Sequence, residues 1–420
     1  MPIRIQELFK PAAYMELFVA RQPIFDGKMN VVAYEMLYRS GSSLKAFDGT
    51  EGDVATAKVI NALFYSSGGT DLLNQKLAFI NFPQSLLLSE AALAVPARHV
   101  VLEILENVEA KPCVISACRA LQAKNYRFAL DDISNCSQQS EFADLANYIK
   151  VDFRNADREE CAKIAKTYRG RKTLVAEKVE TREEFQWALE KGFSLFQGFF
   201  FSKPLTSSVL DIPGFKLNFL EILKRINQSD FDFDQLANVV KREAALSYKL
   251  LRAANSALYG MRQPAKSVDR AMKRLGENEV RKLLSIIVMI DLAADSPTEV
   301  MVSALVRARF GELLASEVGL HSRAGEVFTI GLFSRLDAII GRPLEQILSG
   351  IDLRQDLCEA LVHPGRHEDP ISKLWSILLA YEAGEWERAT PLMRQINLQP
   401  DCVHSLYTTA VRWADTMFRR

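Results

Sequence analysis

Phe128-Ala129-Leu130-Asp131-Asp132 is an apolar run that ends abruptly in two adjacent carboxylates. A buried strand emptying into paired acids suits an α/β scaffold that presents a metal site, because the strand fixes position while its end stays open to solvent and ligand. Working outward from this run, short apolar, β-branched and aromatic stretches alternate with longer amphipathic ones from Leu17 to Pro204. The strand candidates are Leu17–Ala20, Val31–Tyr38, Leu77–Asn81, Val100–Leu105, Arg127–Asp131, Tyr148–Asp152, Thr173–Glu177 and Phe193–Gln197. Helix candidates between them include Lys111–Lys124, Arg158–Tyr168 and Arg182–Lys191. So many strands in so short a stretch favour a (β/α) barrel over an open doubly wound sheet. No glycine-rich phosphate loop follows the first strand, which argues further against a dinucleotide-binding fold.

Polar residues gather at the strand ends. Glu35 lies within the second strand, Asn81 ends the third, and Glu103 and Glu106 lie on and just past the fourth. Asp131 and Asp132 close the fifth, Lys150 and Asp152 mark the sixth, Glu177 the seventh and Gln197 the eighth. In a barrel such ends converge on one face, and a set of oxygen donors without His or Cys suits Mg²⁺, Mn²⁺ or Ca²⁺ rather than zinc. One or two divalent cations beside a phosphate ester is the chemistry these residues imply. A lone strand-end acid is more often a helix cap or a surface ion pair, but acids on successive strands reverse that preference. Lys150 could simply pair with Asp152 or Asp132, and Asn81, before Phe82-Pro83, could be a turn residue. A glycosidase also places two carboxylates on such a face; an amide and a lysine among the acids favour metal and phosphate instead.

The chain has 420 residues, enough for at least two domains, and its 52 basic and 52 acidic side chains cancel. Overall charge therefore selects neither a nucleic-acid-coating protein nor one that repels phosphate. Six cysteines are scattered without a CxxC pair, and the N-terminus has no signal-peptide pattern. The most apolar run, Leu283 to Ala294, is interrupted by Asp291 and is too short to span a bilayer. These features lead us to expect a cytoplasmic protein with reduced thiols and no membrane span.

The blocks Arg21-Gln22-Pro23-Ile24-Phe25-Asp26, Tyr34-Glu35-Met36-Leu37-Tyr38-Arg39, Ile80-Asn81 and Leu102-Glu103-Ile104-Leu105-Glu106 occur in order in the first half. They are followed by Leu130-Asp131-Asp132, Ile149-Lys150-Val151-Asp152, Ala176-Glu177-Lys178-Val179-Glu180-Thr181 and Gln197-Gly198-Phe199-Phe200-Phe201-Ser202-Lys203-Pro204. Together they resemble the EAL domain, a modified β/α barrel that binds cyclic di-GMP and, when active, hydrolyses it to pGpG with Mg²⁺ or Mn²⁺, with Ca²⁺ inhibitory. The resemblance implies that Glu35, Asn81, Glu103 and Asp131 ligate a first metal, with Asp131 bridging and Asp132 serving a second. It implies that Glu177 is the general base, Lys150 orients the attacking water and Gln197 is a nearby polar contact. Gln22 and Arg39 would hold the dinucleotide, and Glu106 and Glu180 would brace the loop after the paired aspartates. Three departures stand out. The signature triplet is Glu35-Met36-Leu37; the loop reads Asp131-Asp132-Ile133-Ser134-Asn135-Cys136 where active members carry Asp-Asp-Phe-Gly-Thr-Gly; and Lys178 replaces a glycine. Loss of those glycines removes backbone freedom, and a lysine beside the base can compete for an acid.

After Pro204 the rhythm becomes helical, with a boundary at Leu205–Phe215. Helices are expected around 217–227, 233–244, 246–259, 268–275, 280–294, 298–318, 326–340, 343–349, 354–361, 370–383 and 403–418. The blocks Ala245–Gly260 and Ser267–Gly276 resemble the HDOD domain, an all-α relative of the HD phosphohydrolases used in bacterial signalling. At the place of the HD pair the chain reads Phe333-Ser334-Arg335-Leu336-Asp337, without a histidine. His363 and His367 have helical spacing, but Pro364 and Gly365 break the helix that such a metal pair would need. Between Lys241 and Lys282 eleven basic residues face four acids, which reads first as solvated helix faces and second as an acidic-partner or nucleic-acid surface.

The resulting expectation is an α/β plus all-α chain: an EAL-like barrel at 1–206 and an HDOD module at 207–420. Three functions follow. The first is a cyclic di-GMP-related regulator, weak or inactive as a phosphodiesterase, acting through ligand and protein contacts. The second is a working metal-dependent cyclic di-GMP phosphodiesterase, and the third a nucleic-acid-binding regulator using residues 241–282. The implied partners are cyclic di-GMP and a signalling protein; a homo-oligomer stays open, and nucleic acid is the least favoured.

Overall fold

The computed structural model describes residues 17–40, 56, 60, 73, 75–135, 140–202, 214–227, 233–256 and 264–418. The boundary stretch 205–213, Cys136, Ser137 and Arg262 lie outside these residues, as do the side chains of Tyr38 and Arg39. By compactness the chain divides into one unit of Met1–Phe201 with Leu379–Asp415 and a second of Ser202–Leu378 with Thr416–Arg420.

Eight strands close a barrel in sequence order. They are β1 (Leu17–Asp26), β2 (Val31–Ser40), β3 (Leu77–Phe82), β4 (Val100–Ile104), β5 (Arg127–Ile133), β6 (Tyr148–Asp152), β7 (Thr173–Glu177) and β8 (Leu195–Phe196). From β2 to β8 every pairing is parallel, but β1 runs antiparallel to both β2 and β8. The cause is local. Only Gly27–Asn30 separate β1 from β2, far too few residues for a parallel crossover, so the chain must fold back as a hairpin. Asp26 fixes that turn: its carboxylate accepts from the backbone N–H of Lys28 (2.8 Å) and Asn30 (2.9 Å), while Met29 takes φ 67°.

Among the described residues the longer helices that follow barrel strands are α1 (Pro112–Gln122), α2 (Arg158–Tyr168) and α3 (Arg182–Lys191), with one-turn helices at Gln84–Leu87 and Ser140–Ala143. Each of the longer helices has a legible start. Pro112 opens α1, Asp157 caps α2, and Thr181 with Glu184 forms a reciprocal capping box for α3. In the barrel interior Ile24, Ala33, Phe79, Val101, Ala129 and Val175 pack as one apolar layer, with Leu77, Tyr148 and Leu195 against it.

The helical unit begins with α4 (Gly214–Asn227), α5 (Phe233–Arg242), α6 (Ala244–Ala254), α7 (Val268–Leu275) and α8 (Glu277–Leu292). Ser267 caps α7 by accepting from Arg270 N–H, and Gly276 at φ 77° ends it. Then come α9 (Thr298–Glu317), α10 (Ala324–Phe333), α11 (Leu336–Ile340), α12 (Leu344–Leu348) and α13 (Gln355–Val362). The expected single helix over 326–340 is in fact α10 and α11, parted at Ser334 and Arg335, where the Ser334 hydroxyl donates to the Gly331 carbonyl at 2.7 Å. The α9–α10 crossing needs Gly331, whose absent Cβ would lie 2.4 Å from Ala308 N.

The last helices are α14 (Pro370–Glu382), α15 (Trp386–Gln395) and α16 (Pro400–Phe418). α15 is not among the expected helices, and it runs through Pro391. The part of this segment that falls in the barrel unit lies against β1 and β2. Tyr381 Oη donates to Val19 C=O (3.0 Å) and accepts from Val19 N–H (3.3 Å), and Arg21 pairs with Asp415 at 3.7 Å. No helix among the described residues is long and apolar enough to cross a membrane.

Candidate functional site

The site follows from strand periodicity. Side chains two residues apart share a face, so one step toward the C-terminal mouth from each member of the apolar layer gives another inward residue. From Ala33, Phe79, Val101, Ala129, Tyr148, Val175 and Leu195 that step gives Glu35, Asn81, Glu103, Asp131, Lys150, Glu177 and Gln197. Because β1 runs the other way, the same step from Ile24 goes backward to Gln22, which is paired in register with Glu35. Eight strands thus place eight polar residues at one level above an apolar floor.

Lys150 is the hub of this level. Its ammonium, fully buried, lies 2.6 Å from Glu103 Oε1, 2.6 Å from Asp131 Oδ1, 2.8 Å from Glu177 Oε1 and 3.2 Å from Glu35 Oε2. The pairing with Asp152 or Asp132 considered from the sequence is not made among these contacts. Gln197 Nε2 donates to Gln22 Oε1 (2.6 Å) and Glu35 Oε2 (2.8 Å), tying β8, β1 and β2 together. Four carboxyl groups surround one ammonium in a buried space, so full ionisation would leave an excess of three negative charges. Burial pushes the Glu103 carboxyl well above its usual range against the opposing pull of Lys150, and Glu35 and Asp131 add to the rise. Burial likewise raises Glu177, to about 8, with Lys150 opposing and Asp131 and Glu35 adding. Burial would lower Lys150, but the four carboxylates outweigh it and hold the ammonium charged well above its ordinary pKa. Glu103 Oε2, Glu177 Oε2 and Gln197 Oε1 are buried without a hydrogen-bond partner among the described residues.

Asp132 is arranged differently. It follows a register shift in β5, has φ 48°, and its Oδ1 accepts from Lys178 Nζ at 3.0 Å. The same ammonium reaches Asp152 Oδ2 at 2.7 Å. Asp152 is fully buried and also accepts from Arg154 N–H (2.7 Å) and Asn155 Nδ2 (2.6 Å). Burial raises the Asp152 carboxyl; the Lys178 bond and the backbone donors outweigh it and hold it below its usual range. Lys178 has φ 55°, a left-handed conformation that costs a non-glycine residue about 1–2 kcal/mol. A hydrogen bond to a charged group contributes about 1.5–3 kcal/mol, so the contact with buried Asp152 offsets that strain.

The remaining sequence candidates are dispersed. Arg39 lies on β2 four residues beyond Glu35, its backbone opposite Phe18. Glu106 is exposed in the turn after β4. Glu180 pairs with Arg154, and its N–H donates to the Glu184 carboxylate at 2.7 Å as part of the α3 start. Among the described residues no three His, Cys, Asp or Glu side chains stand ready to hold a metal ion; where the barrel's carboxylates converge stands Lys150.

Gly198 holds the rim. With φ 142°, its missing Cβ would lie 2.1 Å from Val179 O and 2.5 Å from Val179 N, where the chain after β8 crosses the chain after β7. Gly198→Ala is therefore expected to cost about 3 kcal/mol or more, because only backbone movement relieves the clash. Urea unfolding of the two proteins side by side measures it.

A model of the EAL domain family matches residues 69–204, and a model of the HDOD domain matches 212–342. Gln22, Glu35 and Arg39 precede the first matched stretch. An uncharacterized Bacillus subtilis protein, YuxH, is 32% identical over 96% of this chain and 99% of its own length. The Vibrio cholerae cyclic di-GMP phosphodiesterase CdgJ is 27% identical over 100% of this chain and 97% of its own. Among solved structures, the Bacillus subtilis EAL-domain protein YkuI in complex with cyclic di-GMP and calcium is 19% identical, covering 62% of this chain and 72% of that one at a TM-score of 0.37. The manganese/cyclic di-GMP complex of Klebsiella pneumoniae BlrP1 is 23% identical, covering 46% and 56% at a TM-score of 0.36.

Proposed function

This chain belongs to the EAL–HDOD family, and from that premise we propose that it is a cyclic di-GMP receptor whose barrel binds the dinucleotide with a divalent cation and turns it over slowly or not at all. The reading rests on one observation: the ring of inward polar residues from every strand, with more buried carboxylates than cations to neutralise them. An all-oxygen donor set with unpartnered buried oxygens on Glu103 and Glu177 fits one hard cation, Mg²⁺, Mn²⁺ or Ca²⁺. Glu35, Asn81, Glu103 and Asp131 would hold it, and Lys150 would yield part of its contacts. Such an ion, when bound, neutralises phosphoryl oxygens and lowers the pKa of its water.

The chain's own residues do the rest. Lys150 keeps the carboxylates at one level and offers an ammonium to an anionic ligand. Gln22 and Gln197, locked to each other, present amide groups at the rim, and Arg39 supplies a guanidinium for phosphate. Burial raises the Glu177 carboxyl to about 8 against the pull of Lys150, so a cation beside it would be needed to favour the ionised form of a base. Asp132 is engaged by Lys178, which supports weak turnover. The HDOD module then serves as the partner-binding part. At least four of the eleven basic residues in its basic segment are answered by acids: Lys241 pairs with Asp269, Lys249 with Asp291, Arg281 with Glu277 and Lys282 with Glu279 and Glu312. That supports solvated, packed helix faces over a nucleic-acid surface.

Calorimetric titration of cyclic di-GMP in Ca²⁺, followed by product analysis in Mn²⁺, tests this reading. Saturable binding is expected, weakened about 10- to 100-fold by Arg39→Ala through loss of a charge-assisted phosphate bond, with little pGpG formed. No binding would refute it. Steady pGpG production abolished by Glu177→Gln would establish instead a working phosphodiesterase, the activity in CdgJ's name, for which Glu35, Asn81, Glu103, Asp131, Asp132, Lys150 and Glu177 are all in the chain.

A further inference from the structure

We propose that the Lys178 ammonium is a built-in substitute for a second divalent cation, restricting the barrel mouth to a single exchangeable metal ion. This deepens the cation-binding reading above and rests on it.

The geometry is that of a cation site with a side chain in it. One positive group bridges Asp132 Oδ1 at 3.0 Å and Asp152 Oδ2 at 2.7 Å, across the ends of β5 and β6, and comes from the residue directly after β7. Both carboxylates depend on it differently. Asp152 is fully buried and has further donors in Arg154 and Asn155, whereas Asp132 is partly exposed at the rim. A hard divalent ion beside Asp132 would need that carboxylate and the space now crossed by the lysine stem. The two positive charges exclude each other, since at this separation like charges repel strongly in a half-buried rim. The backbone on both sides shares one feature: Asp132 at φ 48° on β5 and Lys178 at φ 55° just after β7 are both left-handed, and their side chains meet across the end of β6. The lysine is tethered, so the position it fills does not empty on dilution or chelation, unlike that of a free ion.

Mn²⁺ stoichiometry, read by electron paramagnetic resonance of free Mn²⁺ and by calorimetry without any nucleotide, tests this on the full chain. The wild type is expected to bind one Mn²⁺. Lys178→Gly, which removes the ammonium and suits the left-handed backbone, is expected to bind two, and Lys178→Arg one. Lys178→Asn, a residue tolerant of left-handed φ, is the second variant if the glycine chain melts early. One ion in the wild type and in both uncharged variants overturns the substitution while leaving the cation reading intact. Two ions in the wild type also overturn it. No ion in any of them refutes the cation reading and this proposal together.

Discussion

Lys150→Met is expected to lower the melting temperature of the barrel by about 10 °C in EDTA at pH 8, the largest effect of any single substitution at the site. The reasoning is electrostatic. The ammonium touches four carboxylates, and its removal leaves them facing one another in a buried space. Breaking a buried pair by deleting one partner costs about 3–5 kcal/mol, and 1 kcal/mol is worth about 2–4 °C in a unit of this size. The pH dependence has a defined sign. In the variant the lowering influence of Lys150 on Glu103 and Glu177 is gone, so both carboxyls, already raised by burial, rise further. In both proteins the folded-state pKa values lie above the unfolded ones, so the fold takes up protons as pH falls and is favoured by acid, and in the variant they lie higher still. Because Glu177 is at about 8 even with Lys150 present, the deficit relative to wild type should shrink as pH falls from 9.5 to 7. Adding Mn²⁺ at pH 8 should recover part of it, because a cation restores charge at the same carboxylates. A deficit that is equal at both pH values and indifferent to Mn²⁺ would show that Lys150 acts through packing alone. Calorimetric melts of both proteins across these conditions give the answer.

The strands, the barrel and the inward donors were legible because each rests on local pattern. β-Branched and aromatic runs mark strands, and a period of two separates an apolar layer from a polar one. Glu35, Glu103, Asp131 and Glu177 could therefore be singled out before any contact was known. The hairpin between β1 and β2 was equally local; Asp26-Gly27 with Asn30 is its signal, and counting the four loop residues would have fixed the antiparallel direction. What pattern does not carry is convergence. Lys150 pairs with β2, β4, β5 and β7 at once, and no spacing along the chain distinguishes that from the single ion pair with Asp152. Lys178 illustrates the same limit: glycine preference at left-handed positions is modest in energy, so a lysine adopts one when two carboxylates reward it. The contribution of residues 379–415 to the barrel unit is the extreme case, because Val19 and Tyr381 are 362 positions apart.

That distant contact leads to the second large effect. A chain ended after Thr206 is expected to yield a barrel that is aggregation-prone or unfolded at 37 °C, although it retains all eight strands. Among the described residues β1 is paired with β8 only at Phe25 and Asp26, and the stretch before them has no described strand on that side. Tyr381 supplies what the ladder lacks: one phenol answers both backbone groups of Val19, and it is itself fully buried against Trp386 and Tyr407, with centroids 5.0 and 5.2 Å away. Asp415 neutralises Arg21, whose guanidinium lies 4.2 Å from the Tyr34 ring centre, one residue from Gln22 and Glu35. Removing these helices uncovers apolar surface, two backbone groups and an arginine that they bury, and the exposed apolar surface costs roughly 25 cal/mol per Å². Tyr381→Phe isolates the smallest part. It keeps the ring and deletes the hydroxyl, so about 2 kcal/mol should be lost in urea unfolding, with cyclic di-GMP binding retained where the fold persists. A stable, soluble 1–206 fragment with the wild-type melting temperature, or a Tyr381→Phe chain indistinguishable from wild type, would show that the barrel stands without its C-terminal helices. If both losses appear, the helices that follow the HDOD-matched stretch are structurally part of the barrel, and a partner that moves them acts directly on the strand carrying Gln22.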